Sequence, residues 1–291
     1  MTNNSANLKA RIQSGQSILM VELTPPQTGD PAPLRAAAKQ FSGKVHAIGV
    51  SDSRHGVCVS SLAAAAILAG EGIEPVMHLV TRDRNRLALL GACLGAQALG
   101  IRNILCTSGD HQTLGACPPA KNVFDIDSIQ LLSAAARLES GAFCLGAVAA
   151  PFADPPEMQL MRLAKKISAG AEFLITQPVF DLERFKAWWD QVAQRGFHQR
   201  AAFIAGIEPL LDAEQARKLA ESRPRPMIPQ AVLDRVASAS DKAAQRAAGI
   251  EVAVETIRQL SSLEGLRGFQ IVADDPAAAL EIIQRAGLEA V

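Results

Sequence analysis

The sequence predicts an α/β fold: a single (β/α)8 TIM barrel with extra helices between its seventh and eighth strands. Three observations support this fold class. Eight short apolar runs of strand length punctuate the chain, helix-period segments lie between most of them, and several of those segments end in glycine. Uninterrupted apolar runs are typical of parallel strands covered on both faces. Repeated alternation of such strands with helices is typical of this barrel.

The predicted elements follow one another along the whole chain. The strands are Ile18–Leu23, Val45–Val50, Pro75–Val80, Asn103–Thr107, Phe143–Ala149, Phe173–Thr176, Ala202–Ile207 and Phe269–Ala273. Helical periodicity is found in Leu34–Phe41, Ser60–Gly70, Arg86–Leu99 and Glu157–Ala169. Gly43, Gly72, Gly100 and Gly170 stand where helices should end, because glycine readily adopts the left-handed conformation of a helix C-cap.

Two connections are longer than the others. Residues 108–142 hold a loop, Asp110 to Asn122, and then a helix from Asp127. Residues 208–268 hold about three helical pieces, broken at Pro224-Arg225-Pro226 and restarted at Pro229, a favourable residue at a helix start. Neither connection resembles a domain linker, so we expect residues 1–291 to form one domain.

A doubly wound open sheet is the alternative fold. That fold usually has a glycine-rich turn after its first strand, whereas Thr24-Pro25-Pro26 follows the first strand here. The barrel is therefore favoured.

Composition limits the function classes. Lys+Arg and Asp+Glu both total 29, so no net field favours nucleic acid or an anionic membrane. The polar residues Met1 to Ser5 lack a signal-peptide pattern, and the apolar segments are too short to span a bilayer. The cysteines at 58, 93, 106, 117 and 144 have no C-x-x-C spacing, which favours neither disulfides nor zinc. We expect a cytoplasmic protein.

Polar residues stand at the C-terminal ends of many of the apolar runs, where a barrel places its active site. They are Glu22, Ser51, Asp52, His78, Gly109, Asp110, Asp154, Gln177 and Glu208. Glu22 is the most informative, because a carboxylate at the end of a buried strand is partly desolvated and can hold a proton near neutral pH.

Each candidate also has a structural interpretation. Glu22 can bond to the adjoining loop, His78 can be a core histidine, and Asp110 can form an Asx turn. Gln177 can satisfy backbone groups. Solvated faces or loops would account for Arg162, Lys165, Lys166 and the charged run Arg82-Asp83-Arg84-Asn85-Arg86.

Several catalytic motifs are absent from the sequence. It contains no P-loop, no G-x-S-x-G elbow, no H-E-x-x-H and no dinucleotide glycine fingerprint. An organic cofactor is therefore the favoured carrier of the chemistry.

As an ordered series, several stretches resemble the methylenetetrahydrofolate reductase family, flavin-dependent (β/α)8 enzymes of one-carbon metabolism. The likeness extends over about residues 17 to 211. The matching pieces include Val21-Glu22-Leu23-Thr24-Pro25-Pro26, Ala47 to Asp52, His78 to Asn85, Gly100 to Leu105, Ser108-Gly109-Asp110, Val123 to Ser128, Lys166 to Ala171, Ile175 to Asp181 and Gly206 to Pro209.

The resemblance implies a reaction and a set of roles. The reaction interconverts 5,10-methylenetetrahydrofolate and 5-methyltetrahydrofolate by hydride transfer from reduced flavin, FAD or alternatively FMN, with NADH or NADPH as a candidate electron donor. Glu22 matches the general acid, Asp110 a residue beside flavin and pterin, and Gln177 a folate contact. Flavin-binding positions are matched by Ser51, Asp52, His78, Thr107, Ser108, Gly109, Asp110, Ala150, Asp154, Arg162, Lys165 and Lys166, with the two lysines near the cofactor phosphates.

Some positions depart from the family pattern. Ala150 and Asp154 stand where better-known members have a tyrosine and a histidine, and the chain has no tyrosine. The departures leave open a flavin-binding electron-transfer subunit of a larger complex with little folate turnover. A cofactor-free pterin methyltransferase is disfavoured by the apparent flavin positions. The expected partners are folate, a second copy of the chain in a homo-oligomer, and a candidate redox protein.

Overall fold

A computed structural model describes residues 7–54, 56–114, 117–138, 141–222 and 227–290. The break expected at Pro224-Arg225-Pro226 and the polar residues Met1 to Ser5 lie outside these ranges.

The described residues form a closed barrel of parallel strands in chain order, which confirms the predicted fold class. The strands are β1 Ile18–Leu23, β2 Ala47–Val50, β3 Pro75–Val80, β4 Asn103–Thr107, β5 Cys144–Ala149, β6 Phe173–Pro178, β7 Ala202–Ile207 and β8 Leu266–Val272. Half of the predicted strand bounds are reproduced exactly as written, and the others differ by up to three residues. The first and last strands pair from Ile18 with Gly268 to Glu22 with Val272, and this pairing closes the barrel.

Helices follow the strands and cover them. They are α1 Leu8–Gln13, α2 Ala32–Gln40, α3 Ser61–Gly70, α4 Arg86–Ala98, α5 Ser128–Leu138, α6 Pro156–Ser168, α7 Leu182–Gln194, α8 Ala213–Glu221, α9 Gln230–Ala237, α10 Lys242–Leu260 and α11 Pro276–Arg285. Eight begin directly after a polar residue whose side chain accepts a hydrogen bond from a first-turn N–H. These caps are Asn7, Ser60, Asn85, Asp127, Asp181, Asp212, Asp241 and Asp275.

The helix α1 has no counterpart among the predicted elements. It spans 6 residues, too few for a clear periodic signal. Its Leu8 is fully buried and belongs to the apolar cluster inside the barrel, together with Ile18, Met20, Ala47, Val76, Leu105, Cys144, Phe173, Ile175, Ala202 and Ile204. The barrel interior is therefore a packed core below the mouth, as expected for this fold.

The connection between β7 and β8 contains α8, α9 and α10, as predicted. Gly249 of α10 packs directly on the backbone of Leu210, and an added Cβ there would overlap the Leu210 carbonyl. This contact fixes the chain just after Glu208, at the mouth of the barrel.

Candidate active site at the barrel mouth

Four polar residues of the strands stand at the mouth of the barrel, above the apolar core. Glu22 lies two positions after Met20, His78 two after Val76, and Gln177 two after Ile175, and these apolar residues line the interior core. The chain therefore brings a carboxyl, an imidazole and an amide above one apolar floor. Gln270 of β8 joins them through its contact with Glu22.

Glu22 is held by donors on both of its oxygens. The Gln270 amide donates to Oε2 over 2.8 Å, and the Arg54 guanidinium lies 3.5 Å from Oε1. Arg54 also donates to Glu208 Oε1 over 2.7 Å. Arg54 thus bridges two carboxylates, that of Glu22 in β1 and that of Glu208 directly after β7.

Glu22 is mostly shielded from solvent near the end of β1. Its side chain is 12% exposed, and its nearest polar partners are the Arg54 guanidinium and the Gln270 amide. Glu208 is also desolvated, and this burial raises its pKa although Arg54 opposes the shift. The network raises the pKa of Arg54, whose charge is therefore permanent.

His78 is enclosed at the mouth between charged neighbours. Its side chain is buried, and desolvation lowers its pKa against the attraction of Glu22 and Asp52, so the imidazole is neutral at neutral pH. A Cβ on Gly49 would lie 2.9 Å from His78 Nε2, so the glycine leaves the space that the ring fills.

Asp52 is a structural anchor of the mouth. Arg84 donates to its two oxygens over 2.6 and 3.0 Å, and the Val80 N–H donates to Oδ2 over 3.0 Å. The carboxylate side chain is 2% exposed. Asp52 therefore ties the end of β2 to the end of β3, and Arg84 is not the solvated residue that its charged run indicates.

Asp110 stands on the exposed rim after β4. Its loop is fixed by Arg82, which donates to the Asp110 carbonyl over 3.0 Å and pairs with Asp83. Desolvation raises the pKa of the Asp110 carboxyl, while Arg82 and Arg54 oppose the shift. Gly109 turns the chain with φ of 73°.

The rest of this turn connects β4 to α5. The Ser108 hydroxyl donates to the hydroxyl of Ser128 over 3.2 Å, and Thr107 ends the strand. The turn expected from Thr107 to Asp110 therefore lies at the mouth, with Asp110 as its outermost residue.

Gln177 sits at an irregularity between β6 and β7, where the register shifts between Ile175 and Pro178. The Gly206 N–H donates to the Thr176 hydroxyl, which donates in turn to the Gln177 carbonyl over 2.8 Å. Such irregularities re-aim a side chain near a barrel rim. Gln177 is half-buried there.

Of the three basic residues predicted on α6, two line a small pocket. Arg162 and Lys166 lie there beside Ala150 at the end of β5, whereas Lys165 is exposed. Lys166 donates to the Val148 carbonyl over 2.6 Å, and burial lowers the pKa of its amine to about 8.

Asp154 lies further out on the rim. Its side chain is 75% exposed and pairs with Arg184 over 2.9 Å. It is thus separated from the enclosed group around Glu22.

Buried polar atoms without a hydrogen-bond partner mark the mouth within the described ranges. Those at the mouth are Ser51 Oγ, Thr81 Oγ1, His78 Nε2 and Gln270 Oε1. Because buried polar groups are normally paired, these atoms are suited to a polar ligand. No group of three or more metal-binding side chains occurs in the described part of the chain.

The sequence reasoning missed Arg54 and Gln270. Arg54 lies in a polar loop with no local signal for its two long-range partners. Gln270 did carry a signal, since it is a polar residue between Phe269 and Ile271 in an apolar run, where a buried amide needs a partner.

Two other sequence expectations can be checked. The five cysteines are free, as their spacing predicts. Among the helices that the structure describes, none has the length and apolar character needed to cross a membrane.

Comparison with solved structures supports the fold. A protein from Clostridium thermocellum that binds two copies of 5-methyl-5,6,7,8-tetrahydrofolic acid superposes with a TM-score of 0.70 at 14% identity, over 96% of this chain and 97% of that one. A 2,3-dimethylmalate lyase superposes with a TM-score of 0.53 at 12% identity, over 98% and 87%.

Comparison of sequences identifies relatives with names. The probable methylenetetrahydrofolate reductase (NADPH) of Caenorhabditis elegans is 30% identical over 70% of this chain and 31% of its own length. The 5,10-methylenetetrahydrofolate reductase of Escherichia coli K12 is 27% identical over 68% of this chain and 64% of its own. The chain thus spans less than two thirds of these relatives.

The family model for methylenetetrahydrofolate reductase matches residues 7–287. This match includes all eight strands of the barrel and the residues grouped at its mouth. The chain therefore belongs to the methylenetetrahydrofolate reductase family.

Proposed function

We propose that this protein interconverts 5,10-methylenetetrahydrofolate and 5-methyltetrahydrofolate with a bound flavin, and that Glu22 is its general acid. The observation that carries the proposal is the position of Glu22. It is an inward-facing carboxyl at the mouth of a family barrel, with Asp110 and Gln177 on the same rim. The folate-binding structural neighbour supports the same class of substrate.

The residues at the mouth fit a flavin. The unpartnered hydroxyls of Ser51 and Thr81 offer donors and acceptors to a polar ring edge. Arg162 and Lys166 bring positive charge to one side of the mouth, which suits phosphate. We infer that these residues hold the cofactor, FAD or FMN, together with His78 and the turn from Thr107 to Asp110.

Glu22 acts on the folate itself. The protonated carboxyl donates its proton to the leaving nitrogen, N10, as the bond between N10 and the methylene carbon breaks. The product of this step is an iminium cation on N5. When bound, the reduced flavin supplies the hydride that converts this carbon to a methyl group.

Negative charge at the mouth stabilises the cation. The carboxylates of Asp110 and Glu22, the latter ionised after proton transfer, surround the folate site. Gln177 offers a donor and an acceptor together, which suits the edge of the pterin heterocycle. In the reverse direction Glu22 receives the proton back from N10.

Purified protein should be tested first for a flavin absorbance spectrum, and then for reoxidation of dithionite-reduced protein by methylenetetrahydrofolate. Glu22→Gln should retain the flavin and lose turnover by at least about 100-fold, the usual scale for a general acid. Glu255→Gln, at a partly exposed residue of α10 that pairs with Arg235, is the matched control and should retain turnover. Near-normal turnover in Glu22→Gln would remove Glu22 from the mechanism.

A flavin-binding electron-transfer subunit is the second candidate function. The observation that favours it concerns Asp154, which matches a flavin-binding position of the family. Here its side chain is exposed on the rim and pairs with Arg184. Bound flavin that reoxidises with folate but resists reduction by NADH and NADPH would favour a protein electron donor. Bound flavin with no folate reactivity would favour the subunit, and a colourless protein that takes up no flavin would exclude both candidates.

A further inference from the structure

Arg54 is shared unequally between two carboxylates. Its hydrogen bond to Glu208 is short, at 2.7 Å, whereas its hydrogen bond to Glu22 is long, at 3.5 Å. The side chains of Glu208 and Glu22 are 9% and 12% exposed, so solvent screens neither contact strongly. The guanidinium therefore belongs mainly to Glu208.

This division bears on the chemistry of Glu22. An arginine held in a close bidentate pair would keep Glu22 ionised and would prevent it from carrying a proton. Glu208 draws the cation away and also places a second negative charge near Glu22. Both effects favour protonation of Glu22, because one weakens an attraction and the other adds a like-charge repulsion.

We propose that Glu208 is a positioning residue that holds Arg54 to itself and thereby leaves Glu22 able to carry a proton. The inference rests on the proposed function, in which Glu22 is the acid. It assigns to Glu208 no contact with the folate and no proton transfer of its own.

Four other polar or charged residues face the cluster formed by Arg54, Glu22 and Glu208. Asp274, after β8, lies close enough to act electrostatically on Arg54 and accepts a hydrogen bond from the Thr24 hydroxyl over 2.8 Å. His78 is neutral, and the Gln270 amide donates to Glu22. Asp110 interacts electrostatically with Arg54 from the β4 side. These groups are unchanged by substitution of Glu208, so they do not alter the expected direction.

The first readout is the titration of the Glu22 carboxyl in the full-length protein without substrate. The protein is labelled with 13C at glutamate carboxyls, and the Glu22 signal is assigned by its loss in Glu22→Gln. Glu208→Gln should move the midpoint of this titration down by about one pH unit, and Arg54→Met should move it up by about one. Glu214→Gln, an exposed substitution on α8, should leave the midpoint unchanged.

The second readout is the pH profile of kcat/KM for reduction of methylenetetrahydrofolate. A general acid gives a limb that falls as pH rises, and this limb should move to lower pH in Glu208→Gln and to higher pH in Arg54→Met. Circular dichroism and thermal melting verify that each variant is folded. If one of the two variants does not fold, the other still tests the direction.

The two proposals fail in different ways. A Glu22 midpoint that rises or stays fixed in Glu208→Gln, or falls in Arg54→Met, would overturn the role of Glu208 whatever the activity. Shifts in the expected directions in a protein that turns over no folate would support the coupling of the three residues and would reject the proposed function.

Discussion

The side-chain amide of Gln270 on β8 donates a hydrogen bond to the carboxyl of Glu22 on β1 over 2.8 Å. The two residues are 248 positions apart in the chain and lie on the strands whose pairing closes the barrel. Gln270 is 4% exposed, so this bond is made away from water. It fixes one oxygen of the proposed acid while Arg54 lies near the other.

Replacing Gln270 by leucine should lower kcat by about tenfold, because a hydrogen bond to a charged group contributes about 1.5 kcal/mol or more. The limb of the pH profile that falls with rising pH should also move to higher pH, since the lost donor stabilises the carboxylate. Steady-state kinetics measure both effects. Gln259→Leu, exposed on α10, is the control and should change neither. An unchanged kcat in Gln270→Leu would show that the Glu22 carboxyl is positioned without the amide.

Asp52→Asn should destabilise the fold by about 2 kcal/mol, measured by urea denaturation. The substitution breaks a buried ion pair, which usually costs about 3 kcal/mol or more, and the value is reduced here because Arg84 is 26% exposed. The control is Glu221→Gln, which breaks a pair between side chains 61% and 63% exposed and should cost less than about 0.5 kcal/mol. Equal losses in both variants would contradict the anchoring role of Asp52.

Flavin binding should weaken as pH rises through about 8, the lowered pKa of Lys166. Below that pH the amine is charged and attracts phosphate; at about one pH unit above it, only about 10% remains charged, so affinity should fall by about tenfold. Equilibrium titration of flavin into protein stripped of cofactor measures this dependence.

Lys166→Met should bind flavin more weakly at neutral pH and lose the pH dependence. The exposed Lys186 on α7 gives the matched control, Lys186→Met, which should bind as the unsubstituted protein does. A pH dependence that persists in Lys166→Met would assign it to another group.

Gly249→Ala should destabilise the protein by about 2 kcal/mol, because the added methyl group overlaps the Leu210 backbone and α10 must shift. The shift should also lower kcat, since Leu210 follows Glu208 by two residues. Gly91→Ala is the matched control, because Gly91 is also helical and has open space around its Cβ position. That variant should be up to about 1 kcal/mol more stable. Similar stability in both variants would contradict the close contact at Gly249.

Local patterns explain why the barrel could be predicted and parts of the mouth could not. Buried strands such as Pro75–Val80 are apolar at every position except His78, and a glycine such as Gly72, with φ of 74°, marks a helix end by its own conformation. These signals lie within a few residues of each other. The short α1, by contrast, depends on the barrel floor that its Leu8 covers.

The candidate site divides in the same way. Glu22 and His78 lie in apolar strands, so strand alternation directs them to the mouth, whereas Gln177 lies where the register of β6 shifts. The partners of Glu22 cannot be found in this way, because Arg54 and Gln270 reach it across the three-dimensional structure.

We expect the pairing of β1 with β8 to make assembly of the site a late event in folding. Contacts between the two ends of a long chain carry a large loop-closure entropy, so pairing of β1 with β8 should follow the formation of local strand-helix units. During refolding, helical circular dichroism should therefore recover before turnover does. Enzymatic activity would then measure the fraction of molecules in which β1 has paired with β8. Helix content measured by circular dichroism does not distinguish this closed barrel from an open sheet.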